Sequence, residues 1–255
     1  MTVTSIAIIR LKDGVQPEDP NTSAGTLLQG RVSEILTSPG AQRCYWGRAI
    51  ESADLFYLLV DWNTLQDHVD FTTNRYGYLT KLNISGKTET DLSPLFNGAP
   101  TVYHVELTAF PPNAISKPMS PVAEIVTIYF PSNLSTESQH KIVSNTGKFR
   151  SVLADPGGCN ASSGGWIMEE VEVPGQGNKG RAFVMIFGWD SIEAHTECVK
   201  TPRVQEHVHL IAELEGTTRW TVGLAAELFT RAAIEGASAQ VEKRQLDLAQ
   251  EIPEM

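Results

Sequence analysis

Cysteines and long apolar runs are both scarce in this chain, and each shortage excludes some classes of protein. Three cysteines, an odd number, are scattered over 255 residues. This usage predicts reduced thiols in a cytoplasmic protein rather than a disulfide framework. No run approaches the ~18 apolar residues of a transmembrane helix. The N-terminal sequence MTVTSIAIIRLK also lacks the pattern of a signal peptide, so we expect neither membrane insertion nor secretion.

Positive charge is scarce as well. The sequence has 20 Lys and Arg residues against 30 Asp and Glu residues, a formal net charge of −10. A surface with this balance repels phosphate backbones and anionic lipid headgroups. The charge therefore predicts that neither nucleic acid nor a membrane is a partner.

Motifs for metals and nucleotides are missing too. The sequence contains neither His-x-x-x-His nor Cys-x-x-Cys, and His207 and His209 are spaced so that they point to different faces of a helix. Gly164-Gly165 and the loop 174–180 lack the strand–loop–helix setting of a phosphate site, and there is no nucleophile elbow. The sequence thus predicts no metal ion and no cofactor.

What the chain does contain is an internal repeat. Residues 62–70 read WNTLQDHVD and residues 189–197 read WDSIEAHTE, with the Trp and the His identical and no gap. Each segment follows an apolar run. Asn63 and Asp190 are the predicted helix N-caps, with Gln66 and Glu193 three residues later as in a capping box. The repeat predicts that two related halves each place a His in the second turn of a helix.

The flanking segments repeat more loosely and give the fold class. The expected elements of the first half are strand Thr4–Leu11, helix 27–36, strand 45–51, strand 55–61, helix 65–82 and strand 101–110. Those of the second half are strand 123–130, helix 137–153, strand 166–173, strand 181–187, helix 192–214 and strand 220–229. Each half therefore has the β-α-β-β-α-β order of a ferredoxin-like module. The predicted α+β protein has two such modules in tandem.

The module boundaries follow from composition. We predict a first module over residues 1–112, a Pro-rich linker over 113–121, a second module over 122–230 and a C-terminal tail or helix over 231–255. Both faces of the strands 55–60 and 182–189 are apolar, whereas an antiparallel sheet with one solvated face alternates. Helices cover only one face, so the two sheets are expected to pack on each other as one α/β barrel.

A family resemblance appears at the same segments. Gly188 to His195, continued through Thr201-Pro202-Arg203-Val204 to Leu214, resembles the strand–helix segment of antibiotic-biosynthesis monooxygenase-like proteins, and Trp62 to Phe71 is a weaker copy. This group belongs to the dimeric α/β-barrel superfamily. The resemblance implies the barrel, a ligand cavity in each module and, since relatives oligomerise, a homodimer as one assembly. It does not fix the chemistry, because the superfamily includes cofactor-free monooxygenases, cyclases, isomerases and haem enzymes.

The repeated histidines are the first candidates for catalysis. As catalytic residues, His68 and His195 would be neutral imidazoles at the mouth of the cavity, since an unperturbed imidazole pKa of ~6.5 suits a general base acting on a phenol or an enol. The alternative is a structural role in which each His bonds the backbone of a neighbouring strand or loop. Both interpretations predict that the histidines lie at the start of the helix.

His104 and Glu106 are the second candidates. They alternate along the predicted strand 101–110, so they share one face. As catalytic residues they would form a His–Glu pair facing the lumen, in which Glu106 orients or charges the imidazole. The alternative is an exposed edge strand with its polar residues turned outward. Aromatic walls for a substrate are expected from Tyr57, Trp62, Phe187 and Trp189.

These observations predict a cofactor-independent enzyme that acts by acid/base chemistry on an apolar aromatic or polyketide-like small molecule. Monooxygenation, cyclisation and isomerisation all remain open. One alternative is a non-catalytic small-molecule-binding or stress-related protein. Another is a haem-binding barrel with His104 or His195 as the axial ligand.

Overall fold

The computed structural model describes residues 2–81, 92–108, 120–154 and 159–229, and it shows the predicted repeat of elements. The first half contains β1 (Val3–Arg10), α1 (Ser23–Leu36), β2 (Ala41–Ala49), β3 (Leu55–Trp62), α2 (Leu65–Lys81), a 3₁₀ turn (Ser93–Leu95) and β4 (Thr101–Val105). The second half contains β5 (Val122–Pro131), α3 (Thr136–Leu153), β6 (Cys159–Trp166), β7 (Val171–Glu172), β8 (Lys179–Trp189), α4 (Ile192–Lys200), α5 (Pro202–His207), α6 (His209–Ala212) and β9 (Arg219–Phe229). The predicted fold class is confirmed.

The strands form one continuous antiparallel sheet that closes on itself. Its order is β4-β1-β3-β2-β9-β5-β8-β6, with β7 added beside β8. The two halves meet at two seams. At the β2–β9 seam, Ala49 pairs with Ala225. At the β4–β6 seam, Val105 pairs with Ile167, and the Thr108 N–H donates to the Gly164 carbonyl at 3.1 Å. These contacts complete an eight-stranded barrel, a size whose interior side chains just fill.

The two halves agree in register as well as in order. Trp62 at the end of β3 lies opposite Val3, and Trp189 at the end of β8 lies opposite Val122. The second strand of each half shifts its pairing register beside this Trp. The shift lies between Ala41 and Arg43 in β2 and between Cys159 and Ala161 in β6. Positions in the two halves can therefore be matched one to one.

The core has an inner and an outer layer. The lumen of the barrel is filled by alternate residues of strands from both halves: Ile6, Tyr45, Ala49, Tyr57, Leu59, Val105, Ala123, Ile125, Val184 and Ile186. The opposite faces of the strands pack under the helices, with Trp62 in the outer layer of the first half and Trp189 in that of the second. Alternation along each strand thus buries both faces, which explains the continuous apolar runs.

One predicted strand is misplaced. The strand expected over 166–173 is β6, which runs from Cys159 to Trp166, and only the short β7 lies in the expected range. The β6 sequence, CNASSGGW, has too few apolar residues to be recognised as a strand. Its small residues allow the backbones to approach closely at the β4–β6 seam, because a Cβ on Gly165 would overlap the Glu106 carbonyl oxygen.

The helix starts also differ slightly from expectation. Thr64 and Ser191, rather than Asn63 and Asp190, cap α2 and α4, since their hydroxyls accept the backbone N–H of the residue three positions later at 3.2 and 3.1 Å. The helix predicted over 192–214 is divided into α4, α5 and α6, and α5 begins at Pro202. None of the helices described is long and apolar enough to cross a membrane.

The predicted module boundaries remain predictions. Residues 113–119 of the predicted linker, and the predicted tail 231–255, lie outside the described residues.

Candidate functional site

Each half places a tryptophan against a histidine between the sheet and a helix. Trp62 is the last residue of β3, and His68 lies in the first turns of α2; their rings stack at 4.9 Å between centroids. Trp189 and His195 repeat this arrangement at 5.0 Å, edge to face. Both tryptophans are buried in the outer layer. The repeated histidines are therefore brought to the outer face of the barrel and not to its lumen.

In the first half, His68 is part of a hydrogen-bonded series of three side chains. Its Nδ1 lies 2.6 Å from Nε2 of His104. The Nδ1 of His104 in turn makes a short hydrogen bond to Oε1 of Glu169, and the backbone N–H of His104 donates to Oε2 of the same carboxylate at 3.0 Å. We call Glu169, His104 and His68 the relay.

The relay joins elements that are far apart in the sequence. His104 faces outward from β4, opposite Ser5 of β1, while His68 approaches from α2. Glu169 follows β6 and reaches His104 across the β4–β6 seam, where the Met168 N–H donates to the His104 carbonyl at 2.8 Å. The closed barrel therefore assembles the relay from both halves of the chain.

The electrostatics of the relay favour a neutral His68. Burial, followed by the positive field of a protonated His104, lowers the pKa of His68 from its ordinary value to about 4, although Glu169 acts in the opposite direction. For Glu169, burial acts to raise the pKa, but the hydrogen bonds from the ring and backbone of His104 outweigh it and the pKa is lowered. At neutral pH the relay thus ends in a carboxylate on one side and an uncharged imidazole on the other.

The hydrogen-bond roles within the relay depend on the protonation of His104. The carboxylate of Glu169 can only accept, so Nδ1 of His104 carries a proton. When His104 is neutral its Nε2 is an acceptor, and the Nδ1 of His68 must donate to it. Nε2 of His68 then holds a lone pair, and within the described residues it has no hydrogen-bonding partner. A lone pair on a neutral imidazole is the group that a general base requires.

The second half has a different polar partner for its histidine. Glu124 of β5 accepts the indole N–H of Trp189 at 3.1 Å, and the same oxygen lies 3.5 Å from Nε2 of His195. In the first half the matching position is Ser5, whose hydroxyl accepts the indole N–H of Trp62 at 3.0 Å. The second half thus holds a compact His–Glu pair in place of a relay.

The lumen contains a polar cluster of its own. Asp61 is fully buried and accepts hydrogen bonds from the Thr4 hydroxyl at 2.7 Å and from Nε of Arg43 at 3.1 Å. Burial raises the pKa of Asp61 and of the neighbouring Tyr45, against the opposing effect of Arg43. Because the carboxylate has several donors, its position in the barrel is fixed.

The other predicted site residues lie in packed layers. Tyr57 is buried in the lumen, and burial raises its pKa to about 12. Phe187 and Trp189 are buried in the outer layer of the second half. Their rings form part of the core; their role as substrate walls remains a prediction.

The predicted lumen-facing pair of His104 and Glu106 is wrong in two respects. His104 lies on the outer face, because it is opposite Ser5, and its carboxylate partner is Glu169. Glu106 follows the end of β4, and its carbonyl packs against Gly165. The strand was predicted to continue to residue 110, whereas β4 ends at Val105, so Glu106 does not share a strand face with His104.

Three acidic residues escaped the sequence analysis. Glu124 and Asp61 each interrupt an apolar strand, and a charge in a strand buried on both faces is itself a signal that a partner is near. Glu169 was assigned to the predicted strand 166–173, but it lies between β6 and β7. No local pattern links Glu169 to His104, since they are 65 residues apart.

The arrangement of the described residues bears on whether they could hold a metal ion or a haem. No group of three or more His, Cys, Asp or Glu side chains in the described ranges is arranged to bind a metal ion. His104 does not fit an axial haem role, because both of its ring nitrogens are engaged by Glu169 and His68. His195 packs against Trp189, and its Nε2 lies 3.5 Å from Glu124.

A cleft of about 800 Å³ lies elsewhere on the barrel. It is lined by the segment after β1 and the β2–β3 turn: Lys12, Asp13, Gly14, Val15, Gln16, Glu18, Asp19, Arg48, Ala53 and Asp54. The Arg48 guanidinium is held there by Glu18 and by the Val15 carbonyl at 2.7 Å. None of the relay residues lines this cleft, which is at the opposite end of β3 from Trp62.

Comparison with known proteins identifies the architecture. No family model matches the sequence, and no curated protein is significantly similar to it. An anthrone oxidase-like protein shares the fold with a TM-score of 0.59 and 13% identity, over 90% of this chain and 92% of that one. A proposed monooxygenase from Fusobacterium nucleatum subsp. nucleatum gives 0.56 and 8%, over 90% and 93%.

A proposed chlorite dismutase gives a TM-score of 0.50 and 14% identity, over 92% of this chain and 98% of that one. At these identities the likeness concerns the fold alone. It extends over both halves, in agreement with the closed barrel of β1–β9. The chain therefore has the fold of these structures, with two ferredoxin-like modules in one polypeptide.

Proposed function

We propose that the protein is an enzyme in which His68 removes a proton from an apolar aromatic or polyketide-like small molecule without the help of a cofactor. The observation that carries this proposal is the 2.6 Å contact between His68 and His104. It directs one nitrogen of His68 into the relay and leaves the other as a base. The low pKa of His68 keeps that base unprotonated at neutral pH.

The environment supports an apolar substrate. His68 stacks on Trp62, which is 1% exposed, and Phe71 of the same helix packs against that indole at 5.3 Å between centroids. A planar aromatic compound with an acidic C–H or O–H group suits the apolar surroundings of His68. Abstraction of its proton gives an electron-rich enolate or phenolate, which then reacts with oxygen, cyclises or isomerises.

Oxygenation can be written for an anthrone, a class suggested by the name of one protein with this fold. The base takes a proton from the methylene carbon, and the resulting carbanion transfers electrons to O₂. One oxygen atom becomes the new ketone of an anthraquinone and the other leaves as water with both methylene hydrogens. O₂ is the oxidant, so the step balances with one O₂ per anthrone.

A non-catalytic role, as a binding or stress-related protein, is the second candidate, and the filled lumen favours it over catalysis inside the barrel. Tyr45, Tyr57 and the satisfied Asp61 occupy the interior that would otherwise hold a ligand. A binding protein of this kind requires no base, so it predicts that His68 can be replaced without effect on any reaction.

Proton exchange tests the proposal directly. Anthrone is incubated in D₂O without oxygen, and loss of the methylene signal is followed by NMR with the wild type, His68→Gln and His195→Gln. We expect the wild type to accelerate exchange, His68→Gln to lose ~10²-fold or more of that acceleration, and His195→Gln to retain most of it. Equal rates for wild type and His68→Gln, or no acceleration by the wild type, would contradict the proposal.

Two further measurements complete the test. Oxygen uptake in air then separates oxygenation from cyclisation and isomerisation. A UV–visible spectrum of the purified protein shows whether a haem or flavin accompanies it, and a Soret or flavin band would overturn the cofactor-free mechanism.

A further inference from the structure

The acidic end of the relay comes from the opposite half of the chain. His104 and His68 belong to the first half, whereas Glu169 lies between β6 and β7 of the second. Glu169 binds both the ring and the backbone N–H of His104. Two hydrogen bonds to one carboxylate fix the ring plane of His104 and the nitrogen that it presents to His68.

The matching positions at the other seam can be identified from the register. Gly47 of β2 lies opposite Tyr57, and Gly165 of β6 lies opposite Val184. Tyr57 and Val184 each precede the repeated Trp of their own half by five residues. Glu51 and Glu169 each follow the matched glycine by four residues. The β2–β9 seam therefore also carries a glutamate at this place.

The histidine, however, is not repeated. His104 lies opposite Ser5 in β1, and the residue opposite the matching Glu124 in β5 is Leu224 of β9. Leucine has no side-chain hydrogen-bonding group, so the sequence of β9 offers no counterpart of the His104 imidazole at this position. Only the β4–β6 seam contains both parts of the relay.

We propose that Glu169 is a positioning residue that makes His104 the final proton acceptor for His68, so that each chain has one active site, built across the β4–β6 seam. This inference rests on the proposed function and adds the proton's destination and the number of sites. His68 alone is a weak base, because burial disfavours its charged form. The relay removes that restriction, since the proton does not stay on His68.

The proton transfer balances within the relay. The substrate proton goes to Nε2 of His68, and the proton on Nδ1 of His68 goes to Nε2 of His104. His68 is neutral before and after the step, with its proton on the other nitrogen. His104 becomes an imidazolium beside the Glu169 carboxylate, and the substrate keeps the electron pair as an enolate or phenolate. No oxidant or reductant enters this step.

Matched substitutions test the role of Glu169. Glu169→Gln keeps the shape and removes the charge, Glu169→Asp keeps the charge, and Glu51→Gln is the control at the other seam. With the anthrone exchange assay, we expect Glu169→Gln to lower kcat/KM by ~10–10²-fold. We expect Glu169→Asp to recover part of the loss, and Glu51→Gln to match the wild type.

The pH profile separates this role from a merely structural one. The negative charge of Glu169 acts to raise the pKa of His68, so its removal moves the acid limb of the kcat/KM profile to lower pH. Long-range ¹H–¹⁵N NMR of the substrate-free protein gives a second reading. At about pH 8, where imidazoles are largely neutral, His68 should carry its proton on Nδ1.

The outcomes distinguish the inference from the proposed function. If His68→Gln abolishes exchange while Glu169→Gln changes neither rate nor pH profile, the relay is overturned and the base remains. If Glu51→Gln is as damaging as Glu169→Gln, the single site is overturned. If His68 carries its proton on Nε2 in the wild type, the relay is overturned whatever the assay shows.

Discussion

Gly165 of β6 lies directly against the backbone of Glu106, so that the main chains of the two halves meet without an intervening side chain. In the same strand, the Gly164 carbonyl accepts a hydrogen bond from the Thr108 N–H. The barrel is closed at this seam by backbone contact, and side-chain volume there is not tolerated.

Gly165→Ala is therefore expected to destabilise the protein by about 2 kcal/mol or more, because the new Cβ overlaps the Glu106 carbonyl and the seam must open. Gly147→Ala is the control. It lies within α3 with open space around it, and there alanine should stabilise the helix by about 0.5–1 kcal/mol. Urea unfolding of both variants measures the difference, and a Gly165→Ala variant as stable as the wild type would contradict a closed seam.

His68 should make stability depend on pH. Its pKa in the folded protein is about 4, so between pH ~6.5 and 4 the unfolded chain binds a proton that the folded chain resists. Stability is thus lost as pH falls through this window, and the lowered pKa of Glu169 acts in the same direction. From pH 7 to 4.5 we expect the wild type to lose about 1–2 kcal/mol more than His68→Gln, after allowance for solvent screening.

Chemical denaturation at several pH values measures this effect. Exposed His140→Gln is the control and should follow the wild type. If the free energies of unfolding of the wild type and His68→Gln change in parallel with pH, burial does not suppress protonation of His68.

Asp61 should contribute to the stability of the barrel rather than to the reaction. Asp61→Ala leaves the partly buried Arg43 and the Thr4 hydroxyl without their acceptor, and we expect a loss of about 2–3 kcal/mol. Asp70→Ala, at an exposed position of α2, should change stability by less than about 0.5 kcal/mol. Thermal unfolding compares the two, and an unchanged melting temperature for Asp61→Ala would contradict a structural role.

Local patterns predicted most of the fold. The repeat 62–70 and 189–197 located β3, α2, β8 and α4, because a strand exit followed by a capped helix is encoded by neighbouring residues. The β6 strand was misplaced because its small residues are required by the contact with Glu106 across the seam. That contact joins distant parts of the sequence, so no local pattern reveals it. The helix caps were displaced by one residue, since Thr64 and Asn63 are both good caps by type.

The candidate site was predicted only in part. His68 and His104 were singled out by residue type, but their contact depends on α2 folding back over β4. Glu169 reaches His104 only after the barrel closes, so no pattern within either half contains this pair. The assignment of His104 to the lumen failed for a related reason, because the face of a strand is decided by its register with β1.

The covalent link between the halves has a consequence for dilution. A barrel made from two separate modules comes apart when its concentration falls below the dissociation constant, and any site that spans the interface is lost with it. In this chain both seams close within a single molecule, so that association is replaced by an intramolecular step with a fixed effective concentration. The pairing of Glu169 with His104 should therefore be as complete in a dilute sample as in a concentrated one.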